Sequence, residues 1–296
     1  MSAVALTAPR PVLALGAPLL EGPVWLPEDG ALWFVCIKSR RISRFDPADG
    51  SARHWAAPEQ VGFLAPVEGE RRFVAGLQSG LSLFDPADGS FTPLNDPEPQ
   101  LPGNRLNDAT VDGSGRLWFG TMDDGEAAPT GRFYRHDSGG TQAVKGPVPI
   151  TNGPAVSPDG RTLYHVDTLG REIHACPIHD DGSLGESRLF ARIEGADGNP
   201  DGPVVDSEGA LWVGLYNGWA VRRYAPDGGV LETVRFPVSA ITKIAFGGPD
   251  LKTAYATTAA KHLSAEARLA EPHAGDLFAF EVSVPGLPAG RVKLTA

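Results

Sequence analysis

The sequence predicts an all-β fold: a single six-bladed β-propeller over residues 1–296, each blade a four-stranded antiparallel sheet. Three observations predict it. "RFDPADGS" at Arg44 returns as "LFDPADGS" at Leu83, 39 residues later. A pair of short strands recurs six times, at steps of 40, 45, 45, 49 and 41 residues. No run holds a sustained helical period; "HLSAEARLAEP" from His262 is the best candidate for a short helix. Short strands in groups of four, separated by turn signals and repeated about every 40–50 residues, are the signature of a propeller blade.

Taken in order, each blade opens on a short apolar strand. These are "EGPVWLP" (from Glu21), "VGFLAPV" (Val61), "LNDATVD" (Leu106), "TNGPAVS" (Thr151), "PDGPVVD" (Pro200) and "ITKIAFG" (Ile241). A turn follows, usually containing Gly, and then a strand rich in aromatic and β-branched residues. The second strands are "DGALWFVCI", "GERRFVAGL", "SGRLWFGTM", "DGRTLYHVD", "EGALWVGLY" and "PDLKTAYATT". After most pairs come two further strand-like runs, such as "RRISRFDP" and "SARHWAAP". Trp33, Trp118 and Trp212 recur at one blade position and read as core packing. Ring closure has two candidates: "PVLAL" near the start or "RVKLT" at the end supplies the last outer strand.

Composition bounds the function. A net charge of −10 argues against nucleic acid or an anionic membrane as partner. "PVLALGAPLL" (Pro11–Leu20) resembles a signal core, but two prolines interrupt it and only Arg10 precedes it closely. No run approaches the ~18 apolar residues of a membrane span. Cys36 and Cys176 lie in separate apolar runs and read as buried free thiols of a reducing compartment. The expectation is a cytoplasmic protein, a monomer or weak dimer.

Three inner strands begin oddly. Glu21-Gly22-Pro23, Asn152-Gly153-Pro154 and Asp201-Gly202-Pro203 each put an oxygen-bearing side chain before Gly-Pro, where a good strand former is expected. Glycine permits a sharp bend, and proline fixes φ where no ladder donor is needed. In a propeller, the loops entering the first strands gather around one mouth of the central channel, so these three side chains converge. Two carboxylates and an amide oxygen facing one point call for a cation. Hard oxygen ligands suit Ca²⁺, Mg²⁺ or Mn²⁺, with Zn²⁺ and Fe²⁺ also admitted. Three protein ligands leave positions open, as in a catalytic rather than a closed structural site. The bland alternative is that x-Gly-Pro only turns the chain into each strand.

With these residues in view, the sequence resembles the senescence marker protein / gluconolactonase / luciferin-regenerating-enzyme family of six-bladed propellers. The matching segments are "LLEGPVWLPEDGALWFVCI", "NRLNDATVDGSGRLWFGTM", "TNGPAVSPDGRTLYHVDT", "GNPDGPVVDSEGALWVGLYNG" and "ITKIAFGGPDLKTAYATTA", spanning Leu19 to Ala259. "FGTMDDGE", "LYHVDT" and "FGGPDLKTAYATTA" are most similar to bacterial sugar lactonases of the xylonolactonase type. The resemblance implies that Glu21, Asn152 and Asp201 bind one divalent metal. It implies that the "NRLND" segment binds substrate through Arg105 and Asn107. Some relatives carry a substrate-contacting Glu soon after Gly-Thr-Met; here the stretch after Met122 departs, and Asp124 or Glu126 takes that place. The implied chemistry is hydrolysis of a sugar lactone, with Asp201 accepting the proton of the attacking water.

Other catalytic patterns are missing: there is no G-x-S-x-G, no H-E-x-x-H and no P-loop. His165 reads as a satisfied interior histidine. Tyr216 and Trp219 could wall a pocket or simply pack. Two competing expectations stand: a paraoxonase-like esterase or organophosphate hydrolase on the same scaffold, and a non-enzymatic propeller that binds a protein. Fold alone separates none of these.

Overall fold

The computed structural model describes residues 3–261 and 263–294. Its strands form six four-stranded antiparallel sheets arranged as the blades of a propeller. The inner strands are Leu20–Leu26, Val61–Pro66, Asn104–Val111, Thr151–Val156, Asn199–Val205 and Ile241–Gly247, in blades 1 to 6. In blades 1 to 5 the strands run outward in chain order. Blade 6 is closed by the start of the chain: Arg10–Leu13 pairs antiparallel with Leu277–Glu281 as its outermost strand. "PVLAL" is therefore the closing strand. "RVKLT" instead crosses beneath the channel, where Val292 bridges Val67 in parallel and the Lys293 N–H donates to Gly115 O. Thr295 of that run lies outside the described residues.

The core lies between blades rather than in one centre. Blades 1 and 2 share Trp33, Trp55, Phe73 and Phe84, with Trp33 and Trp55 stacked at 5.0 Å between centroids. Blades 5 and 6 share Trp212, Phe246, Phe278 and Phe280. Trp33, Trp118 and Trp212 are buried as expected, and each indole N–H has an aspartate partner. Trp33 donates to Asp29, Trp118 to Asp112 and Trp212 to Asp206, at 3.1, 2.8 and 2.9 Å. Asp112 and Asp206 also accept two backbone N–H groups each from the turn, so one carboxylate ties the turn to the core.

The short helix is Ala265–Ala270, capped by Ser264, in the connection before the third strand of blade 6. His262, at the head of the segment that predicted it, lies outside the described residues. Cys36 and Cys176 are buried and free. Among the described residues no helix is long and apolar enough to cross a membrane.

The inner strands carry a shared irregularity. Pairing to the second strand skips two residues after Glu21, Asn152 and Asp201, and also after Leu106. Each skip is a bulge at the channel mouth, which re-aims the side chain beside it. Gly22, Gly153 and Gly202 sit in these bulges at φ +52°, +74° and +25°. A Cβ at Gly202 would lie 2.5 Å from Thr242 O and from Lys243 Cβ, so glycine lets blade 6 approach. All three glycine-bearing bulges are thus closed against the next blade: Gly22 faces Gly62 and Phe63, Gly153 faces Pro203, and Gly202 faces Lys243.

Candidate active site

A cavity of about 210 Å³ opens at this mouth. Glu21, Asn152 and Asp201 all line it, from blades 1, 4 and 5, together with Arg105, Asn107 and Glu126. The sequence-predicted residues therefore converge, with one exception: Asp124 is not among the lining residues. It stands behind Arg105.

Glu21, Asn152 and Asp201 are buried, each with no more than 5% exposure. Glu21 accepts the Gly22 N–H and Asp201 accepts the Gly202 N–H, both at 2.9 Å. Among the described residues neither carboxylate has a Lys or Arg ion-pair partner. Burial, with the charge of Asp108 nearby, pushes the Glu21 carboxyl up to about 8. Burial and the charges of Glu21 and Asp108 hold Asp201 well above the ordinary carboxylate range. A divalent cation held between two such buried carboxylates would offset the cost of their burial. Asn152 completes the set: its Nδ2 donates to Thr168 Oγ1 at 2.9 Å, which fixes the amide orientation and turns Oδ1 toward Asn107. Two carboxylates and one carboxamide oxygen fit a hard divalent cation. Among the described residues no group of three or more His, Cys, Asp or Glu side chains is placed to hold a metal, so the set here depends on the Asn152 amide oxygen.

Arg105 and Asn107 form the next layer. Arg105 Nε donates to Asp124 Oδ1 at 2.8 Å, and its Nη1 donates to Asn107 Oδ1 at 2.6 Å. Asn107 Nδ2 donates to Thr151 O and to Asn152 Oδ1. A chain of hydrogen bonds thus runs from Asp124 through Arg105 and Asn107 to Asn152. Asp124 also accepts from Lys38 Nζ and Gln60 Nε2. Burial opposes its ionisation, but the bonds from Lys38 and Gln60 and the charge of Arg105 outweigh burial and bring it to about 2. Asp124 is an anchor for Arg105.

Glu126 does line the cavity, and it pairs with Lys261 from blade 6, on the opposite side of the ring. Tyr216 is a wall residue; Trp219 is 42% exposed and is not. His165 is buried in blade 4, bonded to Ser187 and stacked on His174, away from the cavity.

Sequence reasoning missed Lys261, Asn217, Thr168 and Asn199 on the wall, and Lys38 and Gln60 behind it. It also missed the buried pair beneath the site: Lys243 Nζ donates to Asp108 Oδ1 at 2.6 Å. Lys243 left a signal, because it is the one charged residue in the inner strand Ile241–Gly247. Its partner left less, being the last residue of "NRLND".

Residues 19–260 match the model of the SMP-30/Gluconolactonase/LRE-like region. The chain is 36% identical to the 6-deoxy-6-sulfogluconolactonase of Pseudomonas putida, over 90% of this chain and 92% of the relative. It is 36% identical to the L-arabinolactonase of Azospirillum brasilense, over 92% and 91%. Among solved structures, a calcium-binding regucalcin from Agrobacterium tumefaciens superposes with a TM-score of 0.94 at 31% identity, covering 99% of this chain and 100% of that one. These matches establish that the chain belongs to the SMP-30/gluconolactonase/LRE-like family.

Proposed function

We propose that this protein is a divalent-metal-dependent sugar lactonase, opening an aldonolactone to its aldonic acid. The observation that carries the reading is the convergence of Glu21, Asn152 and Asp201 from three blades on one cavity whose wall also holds Arg105 and Asn107. The names of its relatives, two lactonases and a calcium-binding protein, support it.

Glu21, Asn152 and Asp201 would hold the cation. When bound, a divalent ion there supplies Lewis-acid polarisation of the lactone carbonyl and stabilises negative charge on its oxygen. The rest is done by the chain. Asp201 takes the proton of the attacking water. That water's oxygen bonds to the carbonyl carbon, the ring C–O bond breaks, and the ring oxygen leaves as a hydroxyl after accepting a proton. The net change consumes one water, and the acid product ionises. Arg105 presents a guanidinium fixed by Asp124 and Asn107, a rigid donor for sugar oxygens. Glu126 and Lys261 line the same cavity and offer an acceptor and a donor for sugar hydroxyls.

The fixed guanidinium and amides of Arg105, Asn107 and Asn217 favour a polyhydroxylated substrate, while Leu19, Met122, Ile150 and Leu169 on the same wall are what an aryl ester would use, so both classes are tested. The test is proton release at constant pH. Chelator-treated protein is offered pentono- and hexonolactones and, in parallel, a phenyl ester and a phosphotriester. Ca²⁺, Mg²⁺, Mn²⁺, Zn²⁺ and Fe²⁺ are added back singly. Hydrolysis of a sugar lactone above the spontaneous rate, restored by one of these ions, is expected. Turnover of the esters alone would replace this reading by the esterase one, and no turnover at all would favour a binding propeller.

A further inference from the structure

The channel below the site holds a charge arrangement that the proposed reaction leaves unused. Lys243 and Asp108 form an ion pair whose side chains are 8% and 1% exposed. Isolated charges are not buried so deeply without reason, because removing them from water costs several kcal/mol per ion. The pair touches the elements that carry two candidate ligands. Asp108 Oδ2 accepts the Gly153 N–H at 2.9 Å, directly after Asn152. The Lys243 side chain packs where a Cβ of Gly202 would stand, directly after Asp201. Lys243 also donates weakly to Ala109 O at 3.4 Å and lines a second cavity, of about 170 Å³, on the far side of the channel. It therefore lies between the two cavities, beneath Glu21 and Asp201.

We propose that Asp108 and Lys243 are positioning residues that set which cation charge the site prefers. The buried floor then has three carboxylates, Glu21, Asp201 and Asp108, against one ammonium. With the carboxyl protons displaced by the cation, and with Arg105 balanced by Asp124, the formal sum of these four groups is that of two negative charges and matches a divalent cation. Without Lys243 the floor carries one more negative charge and favours a trivalent ion; without Asp108 it carries one fewer and weakens divalent binding. The attraction grows with the cation's own charge, so the ratio of trivalent to divalent affinity reports the floor charge. Geometry lost by a purely structural defect weakens both ions together. This inference rests on the cation-site reading above.

The experiment is calorimetric titration of Ca²⁺ and La³⁺ into full-length protein, wild type and variants, at neutral pH. Thermal unfolding of each variant checks that it is folded. In Lys243→Met the La³⁺-to-Ca²⁺ affinity ratio is expected to rise by about tenfold or more, since a unit charge several Å away acts more strongly on the higher-charged ion. In Asp108→Asn the ratio is expected to fall and Ca²⁺ binding to weaken by about ten- to a hundredfold, by the same Coulomb scaling. The double variant is expected to return close to wild type, and Lys243→Arg to keep the wild-type ratio. A parallel loss of both ions in each single variant, with no recovery in the double, would overturn the inference while leaving the cation site standing. An unmoved ratio in folded Lys243→Met would do the same. Failure of wild type to bind either ion would overturn both.

Discussion

Arg105 is held by two side-chain acceptors of different kinds, besides the Leu106 carbonyl. Asp124 fixes Nε from the loop after blade 3's second strand, and Asn107 fixes Nη1 from its own strand. A lysine could replace the charge but not the fork. Arg105→Lys is expected to lower kcat/KM by about ten- to a hundredfold, with little change in unfolding temperature. Asp124→Asn leaves the arginine less tightly placed and is expected to act in the same direction through KM, by about tenfold. Steady-state kinetics on the best lactone checks both. His165 gives a pH prediction for stability. Burial, then the charges of His174 and Lys145, lower its imidazole from 6.5 to about 3. Between those values the unfolded chain binds a proton that the folded chain refuses. Stability therefore rises with pH across that window and falls on acidification, by up to about 1.4 kcal/mol per pH unit from this group. Denaturant midpoints between pH 4 and 7, roughly within that window, are expected to flatten in His165→Gln; an unchanged slope would mean that other groups govern acid stability. The candidate ligands were legible in sequence because an oxygen-bearing residue before Gly-Pro occurs three times at matching strand entries. The Asp108–Lys243 pair was not, since neither residue precedes a Gly-Pro and their blades carry no matching oddity that would link them.

At the scale of the element, the bulge places the ligand. Gly202 has a positive φ, and its missing Cβ is the space into which Thr242 O and Lys243 come. Gly202→Ala is expected to cost about 1–3 kcal/mol through strain and crowding. It would also displace Asp201, so cation affinity should fall further than stability alone explains. Calorimetry and denaturant unfolding on the same variant separate the two effects. The turn aspartates are a second device. Asp206 accepts from the Trp212 indole, two turn amides and Arg223 Nε, and is fully buried. Asp206→Ala leaves Arg223 with Glu208 as its remaining acidic partner and unpairs the indole and two turn amides, and is expected to cost about 3 kcal/mol, read as a lowered denaturant midpoint. The strands themselves were legible from alternating turn and aromatic signals. The turn aspartates were not, because an Asp near a Gly turn reads as ordinary turn chemistry until the indole is seen above it.

At the scale of the molecule, the start of the chain completes the last blade of the ring by supplying its outermost strand. Arg10–Leu13 covers the edge of Leu277–Glu281, and an uncovered edge strand invites pairing with other chains. Asp276 also anchors Leu15 and Gly16 through their N–H groups. A chain that begins at Leu15 keeps that tie but loses the outer strand. Deletion of the residues up to Ala14 is therefore expected to lower the unfolding temperature and promote self-association, visible by light scattering. The blade count was legible from the spacing of the repeat, but which terminus closes the ring was not, since both ends offer a short apolar run. Ring closure is what brings Glu21, Asn152 and Asp201 to one point, and the most direct test is made there. Chelated protein is titrated with the cation that best restores lactone opening, and the rate is followed against equivalents added. Saturation at one equivalent is expected in wild type, with no restoration in folded Asp201→Ala. Undiminished hydrolysis by fully chelated wild type, or full activity in Asp201→Ala, would contradict it.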